Sequence, residues 1–340
     1  MTEGNRTKDC GEIGGYLELE RFTGPMLHEG ALALSSGRAC LSYLIRRKKI
    51  RKILIPDYIC DVVEMACEGI DVSFYPVGED LRPRLTPEQT GAVSTPAGET
   101  WLYLVNYFGQ LTEEELRGWA GRCPRLIVDN AQAYFDRPVP GVDTLYTCRK
   151  FLGVADGGFL YTDALDEGGG EELPRDESHG RMGFVLGRFE RPAGEYYEEA
   201  SRNNEILRTE PAGMSALTEN LLHAVDYDRV RNARTENFRI LHEALGDRNG
   251  LRLRPVEGAY AYPLMLEGGP ELRRELIRQK IFIPQLWPNV LLEQPAGSAA
   301  RRLTEQILPL PCDQRYGRRE MERIIRAVTA LQTAPAGKEN

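Results

Sequence analysis

The sequence predicts an α/β protein in which helices cover a mainly parallel sheet. Short apolar or β-branched runs typical of buried strands recur through the first half, among them KILIP (52–56) and LIVDN (126–130). Stretches with helical spacing separate these runs, as expected of crossover connections. The chain has 340 residues, of which 41% are hydrophobic, so it can bury a substantial core.

The predicted crossover helices have recognisable starts. Ser-Ser-Gly at 35–37 precedes one helical stretch, and PDYIC at 56–60 precedes a second. Thr112 and Glu115 form a capping box for a third, because each side chain can bond the backbone N–H of the other residue. Further strands are expected in DVSFYPV, WLYLVNYF, TLYTC and GFLYTD.

The second half of the chain has a different pattern. Residues 164–194 are rich in glycine and charge, which predicts a mobile surface excursion. From Met214 to about Leu245, apolar residues recur at helical spacing and predict long helices. The runs YAYPLML, IFIPQLW and ILPLP follow, with a final helix after Tyr316. We therefore expect an N-terminal segment (1–25), a large domain (26–212), and linking helices with a small domain (213–335).

Composition excludes several classes of protein. The formal net charge of -8 argues against a nucleic-acid groove, and no apolar run approaches the length of a membrane span. The polar N-terminal segment lacks a signal-peptide pattern, which favours a cytoplasmic location. The seven cysteines never occur as Cys-x-x-Cys, and the four histidines have no metal-binding spacing. Neither a disulfide framework nor a metal site is expected.

Lys150 is the lysine best placed for chemistry. The other lysines lie in the tails, in the charged run RRKKIRK or at the end of RRELIRQK, whereas Lys150 has apolar and small neighbours. Partial burial lowers the pKa of an amine, which makes it available as a nucleophile that forms a Schiff base. A strand-end lysine that reaches solvent explains the same local pattern equally well.

Asp129 is the second candidate, since it ends the apolar run LIVD. The carboxyl ends of strands in α/β sheets are where ligands bind. A carboxylate there suits a cationic partner, such as the protonated pyridine nitrogen of pyridoxal phosphate. Taken alone, an aspartate at a strand end is more often a helix cap or a turn residue.

The run ALSSGRACL holds the third candidate, an anion cup formed by residues 35–38. Small residues at a helix N-terminus leave backbone N–H groups free for an anion, and Arg38 can add a charge-assisted contact. An ordinary helix cap is the alternative interpretation. The sequence has no Gly-x-Gly-x-x-Gly motif after a strand, which disfavours a dinucleotide-dependent oxidoreductase.

In this order, the anion cup, the aspartate and the lysine match a known arrangement. The chain resembles the DegT/DnrJ/StrS sugar aminotransferases, which are fold-type I pyridoxal-phosphate enzymes. The resemblance is carried by SSGRACL, IPDYICDVV, VNYFGQLTEEEL, LIVDNAQA and TCRKFLGVADGG, between about residues 30 and 163. It implies a large domain with a mainly parallel sheet, a small α+β domain, a homodimer and pyridoxal 5'-phosphate as cofactor.

The resemblance also implies roles for individual residues. Lys150 would form the Schiff base, Asp129 would pair with the pyridine nitrogen, and Gln132 would lie near the ring and its hydroxyl. Thr147 would bind the phosphate together with the anion cup. The implied cofactor-binding set is Ser36, Gly37, Arg38, Cys60, Asp129, Gln132, Thr147 and Lys150. The glycines implied to serve the turn after the lysine are Gly153, Gly157 and Gly158.

Three residues are weaker candidates for substrate binding. Asn106 and Tyr107 follow a strand, in VNYFGQ, where side chains can face a ligand. Arg315 can bind a carboxylate or a phosphate, although a surface arginine beside a turn is the simpler interpretation.

The sequence departs from the family pattern in three places. Arg38 stands where the family has threonine after Ser-Gly. Cys60 stands where the family has an aromatic residue that stacks on the ring, and Tyr58 is close by. Pro211 and Gly213 replace the asparagine and arginine that reach the neighbouring subunit's phosphate in the family.

The predicted activity is transfer of an amino group from an amino-acid donor, such as glutamate, to a keto compound, such as a nucleotide-linked keto sugar. The cofactor residues alone do not determine which bond breaks. A pyridoxal-phosphate lyase or dehydratase of the same fold is therefore an alternative. A non-catalytic descendant that binds a ligand is a second alternative, which the presence of Lys150 and Asp129 disfavours.

Overall fold

A computed structural model describes residues 13–164, 173–207 and 209–333 of the chain. Seven strands form one sheet in the order β1-β7-β6-β5-β4-β2-β3. These strands are β1 (Leu32–Leu34), β2 (Lys52–Pro56), β3 (Asp71–Tyr75), β4 (Thr100–Val105), β5 (Leu126–Asp129), β6 (Asp143–Thr147) and β7 (Gly158–Tyr161).

Five neighbouring strands, in the sheet order β3-β2-β4-β5-β6, are parallel to one another. Strand β7 lies between β1 and β6 and is antiparallel to both. All four residues of β5 are buried, as expected of a strand covered on both faces. Because β7 is antiparallel to both of its neighbours, β1 and β6 run in the same direction. The chain after β1 therefore starts at the same edge of the sheet as the chain after β6.

The three predicted crossover helices are present as α1 (Gly37–Arg47), α2 (Asp61–Ala66) and α4 (Glu113–Arg122). A further helix that the sequence did not predict, α3 (Pro87–Ser94), lies between β3 and β4. The capping box predicted at Thr112 and Glu115 begins α4, with both reciprocal hydrogen bonds formed.

Two further helices follow the sheet, α5 (Gly183–Glu190) and α6 (Tyr197–Ile206). Helix α5 lies inside the segment 164–194, of which residues 165–172 are outside the described residues. The sequence did not predict this helix. The helix does lie on the surface, since Leu186 is 64% exposed and Phe189 is 93% exposed.

The remaining elements follow in sequence and include a two-stranded antiparallel sheet of β8 and β9. These elements are α7 (Ala216–Leu222), α8 (Tyr227–Leu245), β8 (Tyr262–Met265), α9 (Gly269–Arg278), α10 (Val290–Glu293), α11 (Ala299–Gln306), β9 (Ile307–Leu310) and α12 (Arg318–Thr333). The run IFIPQLW has no regular secondary structure. The domain boundaries at 25/26 and 212/213 stay predictions. Within the described ranges, no helix is both long and apolar enough to cross a membrane.

Arg234 of α8 joins the two halves of the chain. Its side chain is 2% exposed. The guanidinium donates hydrogen bonds to the carbonyls of Ala259 (2.9 Å) and Phe151 (2.9 Å) and to Oε1 of Gln314 (2.7 Å). Phe151 directly follows Lys150, and its ring centre lies 4.8 Å from the guanidinium carbon. The segment that carries the candidate lysine is therefore bonded to α8.

We predict that Arg234→Ala lowers the free energy of unfolding by about 3 kcal/mol, because it leaves several buried carbonyls without a donor. Urea-induced unfolding measures this change. Arg231→Ala on the same helix is the control, since Arg231 is partly exposed and pairs with the exposed Asp228. The Arg231→Ala substitution should lower the free energy of unfolding by about 0.5 kcal/mol or less. Equal losses in the two variants would contradict the role assigned to Arg234.

Candidate active site

The predicted site residues meet at the edge of the sheet where β5 and β6 end. Asp129 is the last residue of β5, Thr147 is the last of β6, and Lys150 follows three residues later. Gly158 pairs with Thr147 on one side and with Leu34 of β1 on the other. The segment after Leu34 therefore lies beside the end of β6, and the anion cup, the aspartate and the lysine share one edge.

The anion cup is the first turn of α1. The side chain of Ser36 caps this helix and accepts a hydrogen bond from Ala39 N (3.1 Å). Within the described part of the chain, the N–H groups of Gly37 and Arg38 have no acceptor. The N-terminus of α1 thus presents two free donors and the positive end of its helix dipole.

Neighbouring segments hold the backbone of the anion cup from two sides. Ser35 N donates to the carbonyl of Ala212 (2.8 Å), and Gly157 N donates to the carbonyl of Ser35 (2.6 Å). A Cβ atom on Gly158 would lie 2.6 Å from the carbonyl carbon of Ser36 and 2.7 Å from its oxygen. Gly157 has a φ of 119°, which side chains disfavour. This pair of glycines therefore supports the anion cup, a role beyond the turn expected from the sequence.

Thr147 is buried near the anion cup at 6% exposure. Its hydroxyl donates to the carbonyl of Gly157 (3.1 Å), so its hydrogen is already used within the protein. Its role in phosphate binding stays a prediction.

Asp129 is 7% exposed and accepts two hydrogen bonds. Its Oδ1 accepts from Ala131 N (2.7 Å), and its Oδ2 accepts from the hydroxyl of Tyr103 (2.7 Å). Burial raises the pKa of the Asp129 carboxyl, while the nearby charge of Lys150 and these two bonds lower it. Tyr103, which the sequence analysis missed, therefore helps to orient the carboxylate.

Lys150 lies on the wall of a cleft of about 340 Å³, which Arg149, Tyr260, Gln314 and Arg315 also line. Its Nζ atom is 5.7 Å from the centre of the Tyr260 ring. Although the side chain is exposed to the cleft, desolvation by the surrounding protein lowers the pKa of its ammonium group. The Asp129 carboxylate acts in the opposite direction and raises this pKa. Lys150 thus loses its proton more easily than an ordinary lysine.

Gln132 has an orphaned donor. Its Oε1 accepts from Phe108 N (2.9 Å), which fixes the orientation of the amide. Its Nε2 is buried, and it has no hydrogen-bond partner. Since the residue is 2% exposed, water does not readily satisfy this donor, and an acceptor on a bound molecule would stabilise it.

Cys60 lies at the start of α2, and its thiol donates to Oδ1 of Asp61 (3.2 Å). Burial raises the pKa of this thiol to about 11, and the nearby charge of Lys150 lowers it. Tyr58 is fully buried, with its ring centre 4.4 Å from that of Trp287. Tyr58 therefore does not reach the cleft, whereas Cys60 is close enough to Lys150 for their charges to interact.

The structure does not bring Asn106 and Tyr107 to the cleft. Asn106 is fully buried, donates to Asp136 Oδ2 (3.1 Å) and accepts from Leu111 N (2.9 Å). The hydroxyl of Tyr107 donates to the carbonyl of Tyr58 (2.5 Å). These bonds stabilise the turn after β4, and the role of both side chains in substrate binding stays a prediction.

Arg315 does line the cleft with Lys150. Asp313 binds its guanidinium with two hydrogen bonds, from Nε (2.7 Å) and from Nη2 (2.9 Å). An anionic group in the cleft would have to compete with this carboxylate for Arg315. The described residues contain no cluster of metal-binding side chains.

The comparisons with known structures agree with this architecture. DesV of S. venezuelae, solved with a ketimine intermediate, is 19% identical over 93% of this chain and 91% of its own, with a TM-score of 0.61. A DegT DnrJ EryC1 StrS aminotransferase from Brucella abortus is 15% identical over 92% of each chain, with a TM-score of 0.60. The sugar aminotransferase Spr1654 of Streptococcus pneumoniae, described as putative and solved in its PLP form, is 14% identical over 93% of each chain, with a TM-score of 0.58.

These similarities confirm the predicted fold class. The chain has the fold-type I architecture of pyridoxal-phosphate-dependent aminotransferases, with a mainly parallel seven-stranded sheet. No protein-family model and no curated protein sequence matches it.

We predict that Gly158→Ala disrupts the anion cup, because the added methyl group overlaps the Ser36 peptide. The free energy of unfolding should fall by about 1–3 kcal/mol. Amide hydrogen exchange should accelerate in the first turn of α1. Gly180→Ala is the control, since a Cβ atom there meets nothing within 4 Å. Unchanged amide exchange in Gly158→Ala would show that the anion cup does not depend on the close approach of Gly158 to the Ser36 peptide.

We also predict that Lys150 reacts with an amine-directed reagent at lower pH than an ordinary lysine, whose pKa is about 10.4. Asp129→Asn should move its reactivity to still lower pH, because the carboxylate raises the pKa of Lys150. Competitive labelling with trinitrobenzenesulfonate and peptide mapping measure both profiles. A shift to higher pH in Asp129→Asn would contradict the electrostatic coupling of the two residues.

Proposed function

We propose that this protein is a pyridoxal-phosphate-dependent aminotransferase of the DegT/DnrJ/StrS family. The observation that carries the proposal is the pairing of Lys150, an amine with a lowered pKa, with Asp129, a buried carboxylate, at one edge of the sheet. The anion cup opens at the same edge. The fold shared with known aminotransferases supports this assignment.

The residues present fit this cofactor. The free N–H groups of Gly37 and Arg38 suit a phosphate, and the orphaned Nε2 of Gln132 suits a ring hydroxyl. Asp129 supplies the negative charge that a protonated ring nitrogen requires. Bound there, pyridoxal phosphate would supply a ring that withdraws electrons from the α-carbon of the amino donor.

Each site residue then has a defined task. Lys150 supplies the amine that bonds to the cofactor, and its lowered pKa favours the unprotonated, nucleophilic form. When Nζ is free, the same amine takes up a proton and releases it to the substrate. Asp129, held by Tyr103 and Ala131, keeps its carboxylate fixed and largely shielded from water.

The surroundings of the cleft support an acidic acceptor. A larger cavity of about 980 Å³ shares Phe282, Pro284, Pro311 and Arg315 with the cleft. Its wall carries more basic than acidic side chains, namely Arg188, Arg273, Lys280, Arg315 and Arg323 with Glu320. This charge suits a nucleotide-linked keto sugar, in line with the sugar aminotransferase among the similar structures.

The remaining features of the proposal come from the resemblance in sequence. Glutamate is the proposed amino donor, and the enzyme is proposed to act as a homodimer in the cytoplasm. The partners are thus two small molecules and a second copy of the chain.

The proposal predicts that adding pyridoxal phosphate to the purified protein produces a visible absorption band from a covalent adduct, which glutamate then discharges. Lys150→Ala should bind no cofactor covalently, and Lys52→Ala on the exposed start of β2 should behave as the wild type. Asp129→Asn should keep the adduct but lose turnover by about a hundredfold or more. Absorption spectra and borohydride reduction measure these changes.

The outcomes separate the alternatives. A covalent adduct whose absorption band stays unchanged when amino donors are added would favour a lyase or dehydratase. No band in the wild type would favour a non-catalytic ligand-binding protein. A borohydride-reducible adduct in Lys150→Ala would remove the role assigned to Lys150.

A further inference from the structure

Two arginines from distant parts of the sequence meet at the carboxyl end of α6. Arg38, the second residue of α1, donates from Nη1 to the carbonyl of Leu207 (2.9 Å). Arg149, which directly precedes Lys150, donates from Nη2 to the side chain of Asn204. Residues three apart on a helix lie one turn from each other. The two guanidinium groups are close enough for their charges to interact, and they belong to the first turn of α1 and to the residue before the candidate lysine.

Neither guanidinium is bonded to a carboxylate in the part of the chain that the structure describes, although Asp61 acts electrostatically on Arg38 and Asp156 acts on Arg149. No salt bridge involves Arg38 or Arg149 in the described part of the chain, whereas nearby Arg181 pairs with Asp176 at 2.6 Å. The Nε atom of Arg149 is buried and has no acceptor. Burial, together with the charges of Arg38 and Arg181, lowers the pKa of Arg149 to about 10, against the opposing effects of Cys148 and Asp156. Neighbouring cations with an unsatisfied donor favour the binding of an anion.

We propose that Arg149, together with Arg38, binds the phosphate group of the cofactor from within the same chain. This inference rests on the proposed function, since the phosphate is that of pyridoxal phosphate. The N–H groups of the anion cup bind the same group, and the guanidinium groups supply the positive charge that neutralises the dianion. Arg149 precedes Lys150, so the phosphate contact and the covalent attachment come from adjacent residues. Arg149 is thus a binding residue that the sequence analysis did not identify.

The test compares pyridoxal phosphate with pyridoxal, which has the aldehyde but lacks the phosphate. Equilibrium titrations followed by absorbance give the dissociation constant of each compound. Arg149→Gln should raise the dissociation constant of pyridoxal phosphate by about tenfold to a hundredfold, the range expected for loss of a charge-assisted contact. Its affinity for pyridoxal should stay within about twofold of the wild type. Arg149→Lys, which keeps the charge, should lose less affinity for pyridoxal phosphate.

Arg181→Gln is the matched control, because Arg181 lies in the same corner but is bound by Asp176. This variant should leave both affinities unchanged. Retained binding of pyridoxal shows that a variant is folded. If Arg149→Gln does not fold, Arg149→Met, which removes the charge but keeps an unbranched side chain, takes its place in the same comparison. Unchanged binding of pyridoxal phosphate in Arg149→Met would then overturn the inference.

Two results with Arg149→Gln would overturn the proposal. Equal losses for both compounds would mean that Arg149 acts on Lys150 or on the local structure, and unchanged binding of pyridoxal phosphate would mean that other groups hold the phosphate. If the proposed function itself is wrong, the wild type forms no Lys150-dependent adduct with either pyridoxal phosphate or pyridoxal.

Discussion

The position of the candidate site depends on the buried guanidinium of Arg234. It binds the carbonyl of Phe151, which follows Lys150, and the carbonyls of Ala259 and Tyr260, which lead into β8. Arg234 of α8 therefore fixes the lysine segment against the second half of the chain, together with Gln314, whose Nε2 also donates to the carbonyl of Phe151 (2.8 Å). The cleft beside Lys150 exists because these segments meet around it, with Tyr260 on one wall and Arg315 on another. Its walls come from both halves of the chain.

Electrostatics at the site follow from this enclosure. Desolvation acts on Lys150 and on Asp129 in opposite directions, lowering the pKa of the amine and raising that of the carboxyl. Each charge opposes the effect of desolvation on the other and so favours the ionised form of both groups. The hydroxyl of Tyr103 and the backbone of Ala131 favour the carboxylate. A cationic ring nitrogen would satisfy this carboxylate in the way that the lysine does now.

Much of the fold and part of the site could be predicted from the sequence. Apolar runs and capping residues are local signals, and they placed Asp129 and Lys150 at strand ends that share one edge. The contacts that complete the site are not local: Arg234 and Phe151 are 83 residues apart, and Arg149 and Asn204 are 55 apart. The sequence also does not indicate which polar groups at a strand end face the ligand. The side chain of Asn106, for example, accepts from Leu111 N in its own turn and donates to Asn130 and Asp136.

The way in which the anion cup is held also determines when it can form. Ser35 lies near the start of the chain, but its backbone is bonded to Gly157 and to Ala212. During synthesis on the ribosome, the N-terminal part of the chain emerges long before these partners. The nascent chain therefore cannot complete the anion cup until residue 212 has left the exit tunnel. If the anion cup binds the cofactor as proposed, cofactor capture is a late event in biogenesis, and chains truncated before this residue would carry the lysine without a complete anion cup.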